Sequence, residues 1–116
     1  MAMVYQDYAK AREFSKQGCE GGNAGGCFNL GILYDNVYGV VQDYTKASEF
    51  YKKACDGRDA AGCLNLGWDY EYGEGTVQNN LKALELYKQA CDGGNEKGCK
   101  NYKVLNAKID QPDEVQ

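Results

Sequence analysis

Small and apolar residues recur along the chain with the spacing of short amphipathic helices. Within residues 43–55 they stand at Tyr44, Ala47, Phe50, Tyr51, Ala54 and Cys55. In the segment that follows, Cys63, Leu66, Gly67 and Tyr70 stand at positions i, i+3, i+4 and i+7, which is one face of a second helix. A glycine-containing turn separates the two segments. The pattern therefore predicts a hairpin of two short helices packed against each other.

This predicted hairpin occurs three times. Two sets of cysteines mark the copies, and successive members of a set are 36 positions apart. The sets are Cys19, Cys55 and Cys91, and Cys27, Cys63 and Cys99. The segments 7–42 and 43–78 are identical at more than half of their positions, and a third copy covers 79–110. A repeated two-helix unit of this length is typical of a solenoid, so we predict an all-α solenoid domain over 7–110.

Polar residues mark the expected start of each helix. Asp or Asn, whose side chains accept hydrogen bonds from free backbone N–H groups, stands before both helices of every copy. The predicted caps are Asp7, Asp43 and Asn79 for the first helices, and Asn23, Asp59 and Asn95 for the second. The last helix is expected over Lys97–Ile109. Residues 1–6, whose Met1-Ala2-Met3 is compatible with a cloning remnant, and a disordered acidic tail at 111–116 are expected to flank the domain.

Composition and charge exclude several classes of function. Thirteen basic and seventeen acidic residues give a net charge of −4, which offers no cationic field for nucleic acid or anionic lipid. The chain has no histidine, so imidazole-based catalysis is excluded. No apolar run approaches the roughly 18 residues that cross a bilayer, and the N-terminus lacks a signal-peptide pattern. We therefore expect no cofactor, no nucleic-acid partner and no membrane insertion.

The two cysteines of each copy are eight positions apart. On one straight helix this separation is about 12 Å, well beyond the roughly 7 Å limit for a disulfide, but a turn between the cysteines lets them meet across the hairpin. The sequence favours the pairs Cys19–Cys27, Cys55–Cys63 and Cys91–Cys99. Reduced, buried cysteines are the main alternative, and a metal site is disfavoured because Cys-x-x-Cys and histidine motifs are absent. Disulfides would indicate the periplasm or the cell exterior.

Three motifs resemble a known repeat family. They are Asn65-Leu66-Gly67-x-x-Tyr70, Gly73-x-Gly75 and Lys82-Ala83-x-x-x-x-Tyr87-Lys88-x-Ala90. These residues resemble the Sel-one-like repeat (SLR) family, a relative of the tetratricopeptide repeats, and the paired cysteines resemble its Helicobacter cysteine-rich protein branch. The resemblance implies a right-handed superhelix of about three repeats, a protein-interaction role and export from a bacterial cell. In that family the Leu-Gly helix opens a repeat, so the resemblance implies that this chain begins with the second helix of one.

The same resemblance brings an alternative function. Penicillin binding and weak β-lactamase activity have been attributed to members of the cysteine-rich branch. The only serines, Ser15 and Ser48, belong to no Ser-x-x-Lys motif, and the sequence has no Lys-Thr-Gly. We therefore predict no catalytic site and keep this activity as the second hypothesis. A structural spacer, whose surface would bind nothing, is the third.

A binding surface is predicted on the second helix of each copy, on the face opposite the hairpin contact. The predicted ligand-binding residues are Asn29, Leu64, Asn65, Trp68, Tyr72, Lys97, Lys100 and Asn101. Asparagine recurs at one position in all three copies, and because a buried amide without a partner is costly, the recurrence favours an open groove that binds a peptide backbone. The alternative is that neighbouring repeats cover this face as ordinary core. An extended peptide or protein segment is the expected partner.

The first helix is expected to leave part of its apolar face uncovered. Tyr8, Ala11 and Phe14 lie on the side that a preceding helix would cover in a longer array. Exposed apolar patches promote association. Self-association through this helix is therefore a further prediction.

Overall fold

Six helices in chain order form the described part of the molecule. The computed structural model describes the backbone of residues 2–36 and 42–110, and side chains from Asp7 onward. The helices are α1 (Ala2–Glu20), α2 (Ala24–Asp35), α3 (Tyr44–Asp56), α4 (Ala60–Tyr72), α5 (Asn80–Asp92) and α6 (Glu96–Asp110). Within these ranges there is no strand, each helix packs mainly on the next, and the chain extends over 53 × 26 × 20 Å. The all-α solenoid is confirmed.

The capping prediction is confirmed at five of the six positions. Asp43 and Asn79 each accept a hydrogen bond of 3.0 Å from a backbone N–H in the first turn of their helix. The equivalent bonds before α2, α4 and α6 measure 2.9–3.0 Å, and the side chains of Asn23, Asp59 and Asn95 accept them. Asp7 as a cap is wrong, because α1 already begins at Ala2 and no glycine or proline interrupts it there. The predicted tail at 111–116 lies outside the described residues.

The turn inside each hairpin needs one residue with a left-handed backbone. Gly22 and Gly94 take this conformation with φ of 93° and 92°. In the middle copy the position is held by Arg58, with φ of 71°. The next residue, Asp59 in this copy, then donates its N–H to the carbonyl of Ala54 at 2.9 Å, which closes the end of the helix. A side chain with a Cβ in this conformation is strained, so Arg58 costs stability.

The helices approach closely because a glycine faces a buried tyrosine. Tyr51 of α3 and Tyr87 of α5 are fully buried. A Cβ placed on Gly67 of α4 would lie 2.8 Å from Cδ1 of Tyr87, and one on Gly31 of α2 would overlap the Tyr51 ring. The glycine of the Leu-Gly motif therefore forms the slot that the next tyrosine fills. The third copy has exposed Lys103 in this position.

Most of the core lies between α3, α4 and α5. One cluster of buried residues contains Ala47, Tyr51, Cys55, Cys63, Leu66, Leu86 and Ala90, and a second contains Ala83, Tyr87 and Leu105. Leu64 is partly buried and packs against both clusters. Side chains from different copies thus share one continuous apolar layer.

A disulfide joins the two helices of every hairpin. The bridges are Cys19–Cys27, Cys55–Cys63 and Cys91–Cys99, with Cα–Cα distances of 4.5, 4.6 and 4.5 Å. These are the three pairs that the spacing predicts. A glycine precedes the second cysteine of each pair, and a Cβ on Gly62 would lie only 2.7 Å from the Cβ of Ala54. The small residue lets the two helix ends come within bonding distance.

A carboxyl group is buried inside the middle copy. Asp69 is 3% exposed, whereas the equivalent positions of the other copies hold the buried residues Leu33 and Leu105. Its Oδ2 accepts a hydrogen bond of 2.7 Å from the Ser48 hydroxyl. Burial raises the pKa of Asp69 from its ordinary 3.8 to about 7, the Ser48 bond opposes this rise, and the nearby Asp35 carboxylate adds to it. The fold thus carries an ionisable group where its own repeats use leucine.

We expect that removing one bridge, in the double variant C55A/C63A, lowers the free energy of unfolding by about 2.5 kcal/mol, because the closed loop restrains the unfolded chain. Urea denaturation under non-reducing conditions measures this loss.

Peptide mapping without reductant should recover only the three local links. A bridge between copies, or equal stability of parent and variant, would contradict the prediction.

We expect Arg58→Gly to stabilise the protein by about 1 kcal/mol, because glycine takes the left-handed conformation without strain. The reciprocal change in the third copy, Gly94→Arg, should destabilise it by a similar amount. Thermal denaturation of the parent and both variants measures the two changes in stability. Shifts in the same direction would show that the backbone conformation does not decide stability at this turn.

We expect stability to fall as pH rises from about 4 to 7, because the folded state keeps a proton on Asp69 that the unfolded state has released. Above pH 7 this contribution is level. Leucine has no proton to release, so Asp69→Leu removes this dependence on pH. The free energy of unfolding of D69L relative to that of the parent should therefore be higher at pH 8 than at pH 5, by up to about 3 kcal/mol.

Denaturation of the parent, D69L and D69N between pH 5 and 8 measures the effect. As a control, D56N removes an exposed carboxylate and should keep the parent's pH profile. Parallel profiles for the parent and D69N would show that Asp69 ionises near its ordinary pKa.

Candidate functional site

Helix α4 presents two aromatic side chains to solvent. Trp68 is 43% exposed and Tyr72 is 58% exposed. Because they stand one helical turn apart, their rings lie side by side, with centroids 4.6 Å apart and planes tilted by 43°. Exposed aromatic residues paired in this way form an apolar surface available to a ligand.

The three asparagines do not share one environment. Asn29 of α2 is exposed, whereas Asn65 of α4 and Asn101 of α6 are half-buried. The half-buried pair lie beside the hydroxyl groups of Tyr51 and Tyr87, respectively. These amides are therefore partly accessible and also contact the buried tyrosines. Sequence reasoning missed this second role, although the first copy, with Ser15 in place of the tyrosine, carries the signal.

Each buried tyrosine hydroxyl also donates to a carboxylate. The Tyr51 hydroxyl donates to Oδ2 of Asp35 at 2.9 Å, and that of Tyr87 donates to Oε1 of Glu71 at 2.7 Å. Burial raises the pKa of Tyr51 far above its usual value; the contact with Asn65 opposes this and the Asp35 carboxylate adds to it. The tyrosine is thus fixed as a neutral donor. The carboxylates and amides beside these hydroxyls are needed because a buried phenol requires hydrogen-bond partners.

The remaining predicted residues fall into two groups. Leu64 is half-buried and packs against both core clusters, so it supports the surface from below. Lys97 and Lys100 are exposed in the first part of α6. The structure therefore brings the aromatic pair and Asn65 together on α4, with one asparagine on α2 and the lysines with Asn101 on α6.

A cavity of about 250 Å³ opens beside this surface. It is lined by Asp35 of α2 and by Asn65, Trp68 and Asp69 of α4. Burial, and then the Asp35 carboxylate, raise the pKa of Glu74, which follows α4 and lies near both aspartates. Two carboxyl groups, one amide and one indole therefore line the cavity, and a third carboxyl group lies nearby. Sequence reasoning missed the acidic residues, although Asp69 at a leucine position is a signal that the repeat alignment contains.

A second cavity, of about 400 Å³, lies between α1, α2 and α3. Its lining includes the cations Arg12, Lys16, Lys46 and Lys53, the acids Glu13 and Glu20, and the aromatic residues Tyr34 and Phe50. Two of the cations already lie over these rings, at 5.5 Å for Lys46 and 5.3 Å for Lys53. The same cleft recurs one copy later with about 240 Å³. We interpret these clefts as a consequence of the repeat packing.

Both serines are poor candidates for a nucleophile. Ser15 is 9% exposed and Ser48 is 6% exposed. The hydroxyl of Ser48 is bound to Asp69, with a further contact of 3.3 Å to the carbonyl of Glu74. Among the described residues no group of three or more Cys, Asp or Glu side chains could hold a metal ion. In the same part of the chain, no helix is long and apolar enough to cross a membrane.

The outer face of α1 is partly open. Phe14 is 74% exposed and Ala11 is exposed, whereas Tyr8 is half-buried. The uncovered patch is therefore smaller than the three residues suggest. Self-association through this face stays a prediction.

Three solved structures that are similar to this chain come from bacteria. Helicobacter pylori cysteine rich protein B is 36% identical, with a TM-score of 0.77 over 79% of this chain and 69% of that one. A Sel1 repeat protein from Oxalobacter formigenes is 27% identical, with a TM-score of 0.79 over 90% and 42% of the two chains. The protective antigen c5321 of uropathogenic Escherichia coli, 23% identical with a TM-score of 0.79 over 89% and 24%, shares the fold. A comparison with curated protein sequences gives no significant match.

The family model of the Sel1 repeat matches three consecutive stretches. They are residues 2–23, 24–59 and 60–95. The second and third stretches each contain a Leu-Gly helix followed by its partner, α2 with α3 and α4 with α5, and the first contains α1 alone. With these boundaries, each complete repeat contains both the glycine of its first helix and the buried tyrosine of its second helix that packs against it. The chain belongs to the Sel1 repeat family.

Proposed function

We propose that this chain is a non-enzymatic interaction module that holds an extended peptide segment of a partner protein along α2, α4 and α6. Sel1 repeats generally mediate protein–protein interactions. The observation that carries the proposal is the exposed pair of Trp68 and Tyr72 beside a cavity on the same helix. An aromatic pair in this position provides the kind of anchor that dominates binding energies at protein interfaces.

The polar residues suit the backbone of such a segment. An asparagine amide offers both a donor and an acceptor, so it can pair with the C=O and N–H of a peptide whatever its side chains. Asn29 is exposed for this purpose, and Asn65 and Asn101 remain partly accessible beside their tyrosines. Lys97 and Lys100 at the α6 end would favour an acidic residue or a C-terminal carboxylate. In this arrangement Leu64 forms the floor.

The disulfides support a role outside the cytoplasm. Three bridges in a chain of 116 residues are typical of proteins that fold in oxidising compartments. The similarity to the Helicobacter cysteine-rich protein supports the same placement. We propose a secreted or periplasmic bacterial adaptor.

The two other hypotheses have less support. Covalent binding of a penicillin needs an accessible nucleophile, and both serines are buried. A spacer that binds nothing would gain no benefit from the exposed pair of Trp68 and Tyr72, because exposed apolar residues promote aggregation. The interaction module is therefore the function that the surface supports best.

We expect peptides selected from a random display library on the oxidised protein to bind with Trp68 at the contact. Trp68 is the only tryptophan, so its fluorescence should change on binding. Trp68→Ala and Asn29→Ala should each weaken binding by about 1–3 kcal/mol, measured by calorimetry, because they remove an anchor and a backbone contact.

The control is Leu81→Ala, which truncates another exposed apolar side chain on α5 and should leave the affinity unchanged. Asn65→Ala is less informative, since that amide also contacts Tyr51. Selected peptides that bind the parent, the W68A variant and the N29A variant equally well would place the groove elsewhere. Failure to select any peptide would contradict the proposed function.

A further inference from the structure

We propose that the cavity between α2 and α4 holds the cationic side chain, arginine or lysine, of the bound segment. The cavity is lined by Asp35, Asn65, Trp68 and Asp69. This inference rests on the proposed function and specifies its ligand: the partner segment carries a basic residue at the point where it crosses α4. The acidic cavity and the lysines of α6 then give the groove opposite charges along its length.

The lining suits a guanidinium or ammonium group. Two carboxyl groups supply negative charge from two helices, and the amide of Asn65 supplies a hydrogen-bond acceptor. The exposed indole of Trp68 forms a wall against which a cation is attracted by the ring. A volume of about 250 Å³ is small for a whole ligand and large enough for one side chain.

Comparison of the three copies shows that the fold does not require this chemistry. Where α4 has Trp68 and Asp69, α2 has Ile32 and Leu33, and α6 has Val104 and Leu105. The leucines at the second position are buried, as Asp69 is. A buried carboxyl group is less favourable than a leucine on the same scaffold, so its presence in one copy points to a function.

The groups that face Asp69 are acidic or neutral. They are Asp35 from α2, the hydroxyls of Ser48 and Tyr51 from α3, and Glu74 from the loop after α4. Within the described ranges, no Lys or Arg forms an ion pair with any of these carboxylates. In the free protein, Asp69 and Asp35 accept hydrogen bonds from the neutral hydroxyls of Ser48 and Tyr51. A cation in the cavity would add a positive charge that balances the carboxylates.

Binding of a cation should depend on pH for the same reason. The pKa of Asp69 is raised to about 7, so much of its carboxyl group is protonated at pH 6 and ionised at pH 8. A positive ligand interacts more favourably with the ionised form, so its affinity should rise over this range. An uncharged ligand of the same shape should show no such rise.

The test uses the full chain with its disulfides intact. Peptides are selected from a random display library at pH 8, and the tightest is synthesised together with an analogue whose arginine is replaced by citrulline, or whose lysine is replaced by norleucine. Selected peptides should contain a basic residue, and the neutral analogue should bind the parent at least tenfold more weakly. Affinity of the basic peptide should rise severalfold from pH 6 to 8.

Two variants of the cavity and one control complete the design. In D69L, which carries the leucine of the other copies, and in D69N, the preference for the basic peptide and its pH dependence should largely disappear. D56N removes an exposed carboxylate of α3 and should behave as the parent. Circular dichroism verifies that each variant is folded, and the use of two replacements keeps the test valid if one of them is not.

The outcomes separate this inference from the proposed function. Selected peptides that lack basic residues, or that bind D69L and D69N as tightly as the parent, overturn the cationic pocket and leave the groove in place. Absence of any selected peptide overturns both. The inference would also be overturned if the free protein bound Ca²⁺ and bound the charged and neutral peptides with equal affinity. The carboxylates would then bind a metal ion rather than a basic side chain.

Discussion

A buried tyrosine against a glycine sets the geometry on which the rest of this molecule depends. Tyr51 and Tyr87 fill slots that exist only because Gly31 and Gly67 have no side chain. A buried phenol must also place its hydroxyl beside a polar partner, since leaving it without one costs stability. Asp35 and Asn65 meet this need at Tyr51. The packing of the tyrosine against the glycine therefore also requires these polar residues on α2 and α4.

The disulfides solve a different problem, which is the small core. Each helix has 12 to 19 residues, and each packs mainly on its two neighbours in the chain. Short helices of this kind gain little from propensity alone and need tertiary contacts. A bridge across each turn restrains the unfolded chain and keeps the two helices of a hairpin together. The glycine before each second cysteine serves the same end, because it lets the helix ends approach.

The three copies use one scaffold for different chemistry. The cap of the second helix, the turn and the disulfide occur in all three copies, and the glycine slot occurs in the first two. The middle copy then places an indole and a buried carboxyl group where the others have aliphatic residues, and the third copy places lysines at its exposed positions. Because the scaffold tolerates these differences, ligand preference can vary from one repeat to the next without altering the fold.

The sequence by itself determined the number of helices, five of their caps and the pairing of the cysteines, because each depends on residues close together in the chain. It also identified Trp68 and Tyr72 as exposed, since they lie opposite the buried face of one helix. Only the tertiary structure decided that Leu64 packs against the core, that Asn65 and Asn101 contact tyrosines, and that Asp35 and Asp69 line one cavity with Glu74 nearby. The groups in contact come mostly from different helices, and their distances depend on how closely one helix packs on the next, which a single-helix pattern does not contain.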